Sequence, residues 1–146
     1  RLGASDFGVV AASAYLARRG KPRTLAELEQ HDCIRLRTRN GLMPWRFDAP
    51  GGYRDVPVRG ALISDDVGFV YQAAVAGAGL AFLPLETLVD DLDSGRLVRV
   101  LPRQHLISPS LSIVWPSQRL LPTRVVIVRD LLVGRLSRLF KRRPGE

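Results

Sequence analysis

The sequence predicts one mixed, largely parallel α/β sheet, and three observations predict it. Two short apolar runs, FGVVAA at residues 7–12 and LAFL at 80–83, are unbroken, as in strands covered on both faces. Stretches with apolar residues at helical spacing alternate with such runs, the order that builds α/β layers. With 146 residues, 46% of them hydrophobic, the chain is long enough for one domain with its own core.

Each element has a local reason. After FGVVAA, Ser13 can cap a helical turn at 14–19 that Gly20 stops. Thr24 and Glu27 have capping-box spacing and open a short helix ending before Asp32. Residues 34–37 (IRLR) alternate with period two, as a half-buried strand does. Trp45 and Phe47, then Val56 and Val58, alternate around Pro50-Gly51-Gly52 and predict a β-hairpin, with Pro57 placing its second strand at an edge. A strand at 61–64 leads to Asp65-Asp66, which open a helix with Val67, Val70, Tyr71, Ala74 and Val75 on its apolar face. Gly77-Ala78-Gly79 ends that helix before LAFL. A helix at 86–92, a strand at 97–100, a polar connector at 103–109, a strand at 111–115 (LSIVW) and a last helix at 124–140 complete the order.

Charge and special residues narrow the function classes. The net charge is +8, with basic clusters at Arg18, Arg19, Lys21, Arg23 and at Arg135, Arg138, Lys141, Arg142, Arg143. Cations in a last helical turn complement the helix dipole and read as a solvated end. No aromatic residues interleave with arginine as a single-strand platform, and no helix-turn-helix pattern is visible. The single cysteine, Cys33, excludes an internal disulfide framework and a four-cysteine zinc site, and fits a reducing compartment. Residues 67–85 carry no charge over nearly the length of a membrane span. Gly68, Gln72, Gly77, Gly79 and Pro84 break that run into a buried helix and a buried strand. The chain starts at Arg1 without an initiator Met or a signal peptide and reads as part of a longer protein.

Catalytic chemistry finds no set. Asp65-Asp66 could share acid and base roles, but carboxylates ahead of an apolar helix serve as cap and dipole complement. His31-Asp32-Cys33 are consecutive, so their side chains diverge; a triad is built from distant positions. Gly77-Ala78-Gly79 follows a helix and precedes a strand, the reverse of a phosphate loop, and no G-x-S-x-G occurs. No metal site, cofactor or enzyme activity is expected. The remaining candidates are Ser13, Ser64, Asp65 and Asp66 at helix starts, and Leu83 and Pro84 at a strand end. In open α/β sheets, ligands sit at carboxyl ends of strands near helix N-termini, so these six are expected on one edge.

An ordered set of words carries a family resemblance: VVAASAYLARRGKPRTLAELEQHDCIRLR from Val9, WRF from Trp45, VPVRGALISDD from Val56, AAVAGAGLAFLP from Ala73, DSGRLVRVLP from Asp93 and SIVWPSQRLLPTRVVIVRDLL from Ser112. Together they resemble the C-terminal effector-binding domain of LysR-type transcriptional regulators. The family often has Ser-Pro-Ala-Tyr-Leu where this chain has the shorter Ser13-Ala14-Tyr15-Leu16. The resemblance implies a fold similar to type II periplasmic binding proteins, with two α/β lobes joined by two crossover strands. On that template residues 1–102 are the second lobe, and residues 103–146 are the crossover and the strand and helix that return to the first.

The same resemblance implies a small organic effector, acidic or aromatic, held at Ser13, Ser64, Asp65, Asp66, Leu83 and Pro84. It implies a homo-oligomer in the cytoplasm, no membrane contact, and DNA binding only through an N-terminal winged helix-turn-helix outside this sequence. A transport-type periplasmic solute-binding protein is the alternative. Leu111, Ile113, Trp115, Val128, Leu131, Leu132 and Leu136 would need cover from outside this chain, which predicts association.

Overall fold

A computed structural model describes residues 3–102, 110–115 and 122–139. Along the chain run β1 (Gly3–Ala4), β2 (Phe7–Ala12), α1 (Ser13–Arg19), a 3₁₀ turn (Ala26–Gln30), β3 (Cys33–Thr38), β4 (Gly41–Leu42), β5 (Trp45–Ala49), β6 (Gly52–Val56) and β7 (Ile63–Ser64). Then come α2 (Val67–Val75), β8 (Leu80–Pro84), a second 3₁₀ turn (Leu85–Thr87), α3 (Val89–Asp93), β9 (Leu97–Val100), β10 (Ser110–Leu111) and α4 (Thr123–Leu139).

The unbroken apolar strands β2 and β8 lie in the middle of the main sheet, whose order is β4-β3-β8-β2-β9 with β7 beside β3. The sheet is mixed, and the largely parallel arrangement expected from the alternation of elements is not what forms. Among the described residues only β3 pairs in parallel, with β7 and β8; β2 is antiparallel to both β8 and β9. The reason is the path of the chain. The 67–79 segment carries β8 back parallel to β3, whereas α1 and the turn after it bring β3 in beyond β8, reversed with respect to β2.

Both faces of the sheet are covered, which is why its central strands tolerate no polar residue. On one face sit the β5–β6 hairpin, Tyr15 and Leu28; Trp45, Phe47 and Val56 pack there with Phe82 and Val9. The alternation of the hairpin explains this: Trp45 and Phe47 point inward, while Arg46 between them points out, donates to Asp55 at 2.6 and 2.9 Å and lies over the Tyr53 ring. Phe82 is the hub of the aromatic cluster, 5.2 Å from Phe7, 5.7 Å from Trp45 and 6.5 Å from Phe47 between ring centroids. On the other face Val70 and Ala74 of α2 pack with Leu88, Leu83, Ala81 and Val10.

Several local expectations change in detail. Ser13 does not cap α1; its hydroxyl donates instead to the Gly95 carbonyl at 2.6 Å. The Glu27 carboxylate accepts from the Arg23 N–H and the Thr24 hydroxyl, which is not the reciprocal capping box, and the element that forms is a 3₁₀ turn rather than an α-helix. The strand holding IRLR is buried on both sides at Cys33 and Ile34 and opens to solvent toward Thr38, because β8 covers only its first half. The helix expected at 86–92 divides into the second 3₁₀ turn and α3. LSIVW is strand only at Leu111, and residues 112–115 run without regular structure. The connector at 103–109 and the basic residues Lys141, Arg142 and Arg143 lie outside the described residues.

Asp90-Asp91 and Asp93, an acidic run near a helix end, read in the sequence as solvated, but Asp91 is buried. It accepts from the Tyr71 hydroxyl at 2.8 Å and from Arg96, tying α2, α3 and the start of β9 together. A buried carboxylate needs such partners, since desolvation without them is costly. The Tyr71 hydroxyl is held above its ordinary pKa chiefly by that bond to Asp91.

Candidate functional site

Strand direction decides which candidate residues meet. β8 ends at Pro84, opposite Phe7 at the start of β2, and Ser64 ends β7 level with Leu36 near the end of β3. Since β3, β7 and β8 run the same way, Ser64, Asp65, Asp66, Leu83 and Pro84 gather at one end of the sheet. Ser13 does not join them. It follows the carboxyl end of β2, which lies against the amino end of β8, so it stands at the opposite end beside Gly95 and Leu97. The expectation of a single edge for all six fails there.

Each of the five has a defined surrounding. Asp66 is the N-cap of α2, accepting from the Gly68 N–H at 2.6 Å and the Phe69 N–H at 3.2 Å through Oδ1. Ser64 Oγ accepts from the Asp66 N–H at 3.1 Å and is half-buried. Asp65 between them is exposed. Leu83 is 1% exposed and packs into the core on the α2 side, so its side chain offers nothing to a ligand at the rim. Pro84 is half-buried, and its carbonyl accepts from the Thr87 hydroxyl at 2.8 Å.

Residues that pattern reasoning missed share this end. Ser5, buried between β1 and β2, donates to the Glu86 carboxylate, and the Leu85 N–H donates to the Asp6 carbonyl at 2.8 Å. These bonds bind the segment leaving β1 to the turn after β8. No periodicity marks Ser5; Glu86 was visible only as the acidic residue two places after Pro84. β1 itself pairs antiparallel with β10, Gly3 opposite Leu111 and Ala4 opposite Ser110. The rim is therefore the side from which the body is tethered to that ladder.

Two hollows are bounded wholly by described residues away from the rim. One of about 360 Å³ is walled by Leu92, Asp93, Gly95, Leu97, Val98 and Arg99, at the Ser13 end. Another of about 380 Å³ separates residues 113–115 from α4.

The reactive-looking residues serve the fold. Burial pushes the Cys33 thiol up to about 12, so it is not a nucleophile at neutral pH. The Tyr15 hydroxyl accepts from the Asp32 N–H at 3.0 Å and lies 3.1 Å from His31 Nδ1, joining α1 to the approach to β3. Burial, then the Arg19 cation, lower the His31 pKa. Among the described residues no three His, Cys, Asp or Glu side chains gather as a metal site.

The model of the LysR substrate binding domain matches residues 1–137. The chain belongs to this LysR family. Among curated relatives, a transcriptional regulator of Pseudomonas aeruginosa is 36% identical over 115 residues, covering 77% of this chain and 38% of its own length. The HTH-type transcriptional regulator YcaN of Escherichia coli is 30% identical over 138 residues, covering 93% of this chain and 45% of its own. The chain thus spans less than half the length of these regulators. The regulatory domain of CrgA, a LysR-type regulator of Neisseria meningitidis, superposes with a TM-score of 0.75 at 24% identity, over 92% of this chain and 66% of that one. This LysR chain accordingly has the type II periplasmic-binding-protein-like fold, and it is a substrate-binding domain of the kind found in transcriptional regulators. Its relatives are regulators, which does not favour the transport reading. Among the described residues no helix is long and apolar enough to cross a membrane.

Proposed function

We propose that residues 1–102 form the second lobe of an effector-sensing domain and that residues 103–146 cross back to the first. A small organic effector, acidic or aromatic, binds against the rim made by Ser64, Asp65, Asp66 and Pro84, with Leu83 supporting Pro84 from the core. The effector shifts a homo-oligomer of the whole regulator, in the cytoplasm, between two arrangements that hold DNA differently through a winged helix-turn-helix. Such coupling requires unequal affinity for the two arrangements.

The observation that carries this reading is the coincidence of the rim with the tethered side of the body. Ser64 and Pro84 stand where Ser5 and Asp6 join β2 to the β1–β10 ladder. A ligand held there would touch both the sheet and whatever the ladder leads to. Ser13, at the other end, is not part of the proposed site. The test is the Ser64→Ala, Asp65→Ala double variant in a full-length regulator carrying this domain. The effector concentration for half-maximal reporter response should rise at least about tenfold, the loss of roughly one hydrogen bond to a charged group. An unchanged dose–response removes these residues from the site.

A further inference from the structure

The outer strand β9 has one unused edge. Antiparallel partners alternate between residues whose N–H and C=O groups meet and residues whose groups point away. The Leu85 N–H donates to the Asp6 carbonyl, in register with the pairing of Phe7 with Pro84, so Gly8 and Val10 turn their backbone groups to β8. Val9 and Ala11 therefore turn theirs to β9, onto Val100 and Val98. The N–H and C=O groups of Leu97 and Arg99 are left pointing outward, donor and acceptor in alternation. Among the described residues no strand pairs with that edge. The hollow of about 360 Å³ lies along it, lined by the successive residues Leu97, Val98 and Arg99 together with Leu92 and Asp93 of α3. Successive side chains of a strand point to opposite faces, so a hollow that touches all three opens onto the backbone edge between them. The chain turns away at Leu101, with φ of 54°, which ends the edge there.

We propose that this edge takes an extended peptide of another protein as an added antiparallel strand, with the pattern Glu-x-Val-x-Lys. The main chain of the peptide bonds to Leu97 and Arg99, and its alternate side chains set the specificity. Antiparallel pairing is the more stable per residue and is the way β9 already meets β2. The residue opposite Leu97 lies on the α3 side, beside Leu97 and Leu92, and is apolar for that reason. Arg99 is half-buried, and among the described residues no carboxylate pairs with it, so the residue opposite it is acidic. Asp93 stands toward the Gly95 end, where α3 turns into β9, and favours a cation there. A second copy fits less well, because its own β9, Leu-Val-Arg-Val, has no carboxylate to set opposite Arg99. The edge is at the Ser13 end, away from the rim, so the inference does not rest on the proposed function.

The experiment is a titration of the isotope-labelled 146-residue chain with the peptide acetyl-Thr-Glu-Thr-Val-Thr-Lys-Thr-amide, followed through backbone amide chemical shifts. The expected result is saturable change centred on Gly95, Leu97 and Arg99, with Ser64 and Asp65 at the rim unmoved. Methylating the peptide nitrogens of Glu and Val, which face β9, should weaken binding at least about tenfold. Methylating the threonine nitrogen between them, which faces away, should leave the affinity within about twofold. Arg99→Glu should weaken binding of this peptide and favour one with Lys in place of Glu. Absence of saturable shifts at millimolar peptide overturns the proposal. So does an equal loss from both methylations, or an Arg99→Glu variant with unchanged preference. Shifts at these amides that follow protein concentration alone would assign the edge to a second copy and overturn the peptide reading.

Discussion

Replacing Gly79 by alanine tests a close backbone approach on which the rim depends. A Cβ at that position would lie 2.2 Å from the Asp32 carbonyl oxygen and 3.0 Å from its carbon. The obstacle is backbone, so no side chain can swing aside. That oxygen also accepts the Leu80 N–H at 2.8 Å, the bond that starts the parallel pairing of β3 with β8. To accept the methyl group, β3 must move off by about 1 Å and the bond must weaken. Overpacking of this kind costs about 1–3 kcal/mol, and the hydrogen bond adds about 1 kcal/mol. Together they should lower the thermal midpoint by roughly 10 °C. Gly95→Ala is the comparison: its Cβ meets nothing within 4 Å, but its φ of +72° disfavours an L side chain, at about 1 kcal/mol. Circular dichroism melts of the two variants and the parent provide the reading. A Gly79→Ala midpoint within about 2 °C of the parent, or one less affected than Gly95→Ala, would refute the close approach. Since β7 is paired to β3 and Pro84 ends β8, the same shift should also misplace Ser64 relative to Pro84.

Other expectations follow from the packing and the titrating groups. Phe82→Ala, emptying the middle of the aromatic cluster at a position only 6% exposed, should cost about 3–5 kcal/mol in urea denaturation; a loss below about 1 kcal/mol would contradict the cluster's role. His31 has a folded pKa below its ordinary 6.5, so the unfolded chain binds the proton more readily. Its contribution to stability is complete above that value and declines as pH falls through the folded pKa. A His31→Gln variant should show a shallower acid slope than the parent, and equal slopes would assign the effect to other groups. The buried Cys33 thiol, with its pKa near 12, should resist iodoacetamide in the native protein at neutral pH and react on unfolding. Rapid native labelling would show that the β3 end opens.

What could be read from the sequence was what neighbouring residues decide among themselves. The Asp66 cap, the glycine stop after α2, the continuous strand β8 and the Trp45–Phe47 alternation across from Val56 are all set within a few positions, and all formed. Strand direction is not set locally. FGVVAA looks the same whether its neighbour runs with it or against it, and that ambiguity sent Ser13 to the wrong end of the sheet. Asp91 was misread for a related reason: its partners, Tyr71 and Arg96, lie on other elements, so its own surroundings gave no sign of burial. LSIVW shortened to a strand only at its first residue because β1 offers it just two residues to pair with. Five of the six candidate residues gathered at one rim because all of them end or follow strands of one polarity. Ser5 and Glu86, whose contact spans 81 positions, had no local mark at all.

The pairing of Gly3–Ala4 with Ser110–Leu111 means that the polypeptide begins and finishes its excursion through the main sheet at adjacent points. Everything between behaves as an insertion hung from one short double strand. A host framework needs to supply only two neighbouring attachment positions to carry it, and the graft requires no stretching of either end. Such a module can be exchanged between proteins while its internal packing stays untouched, with changes of specificity confined to the face beside the attachment.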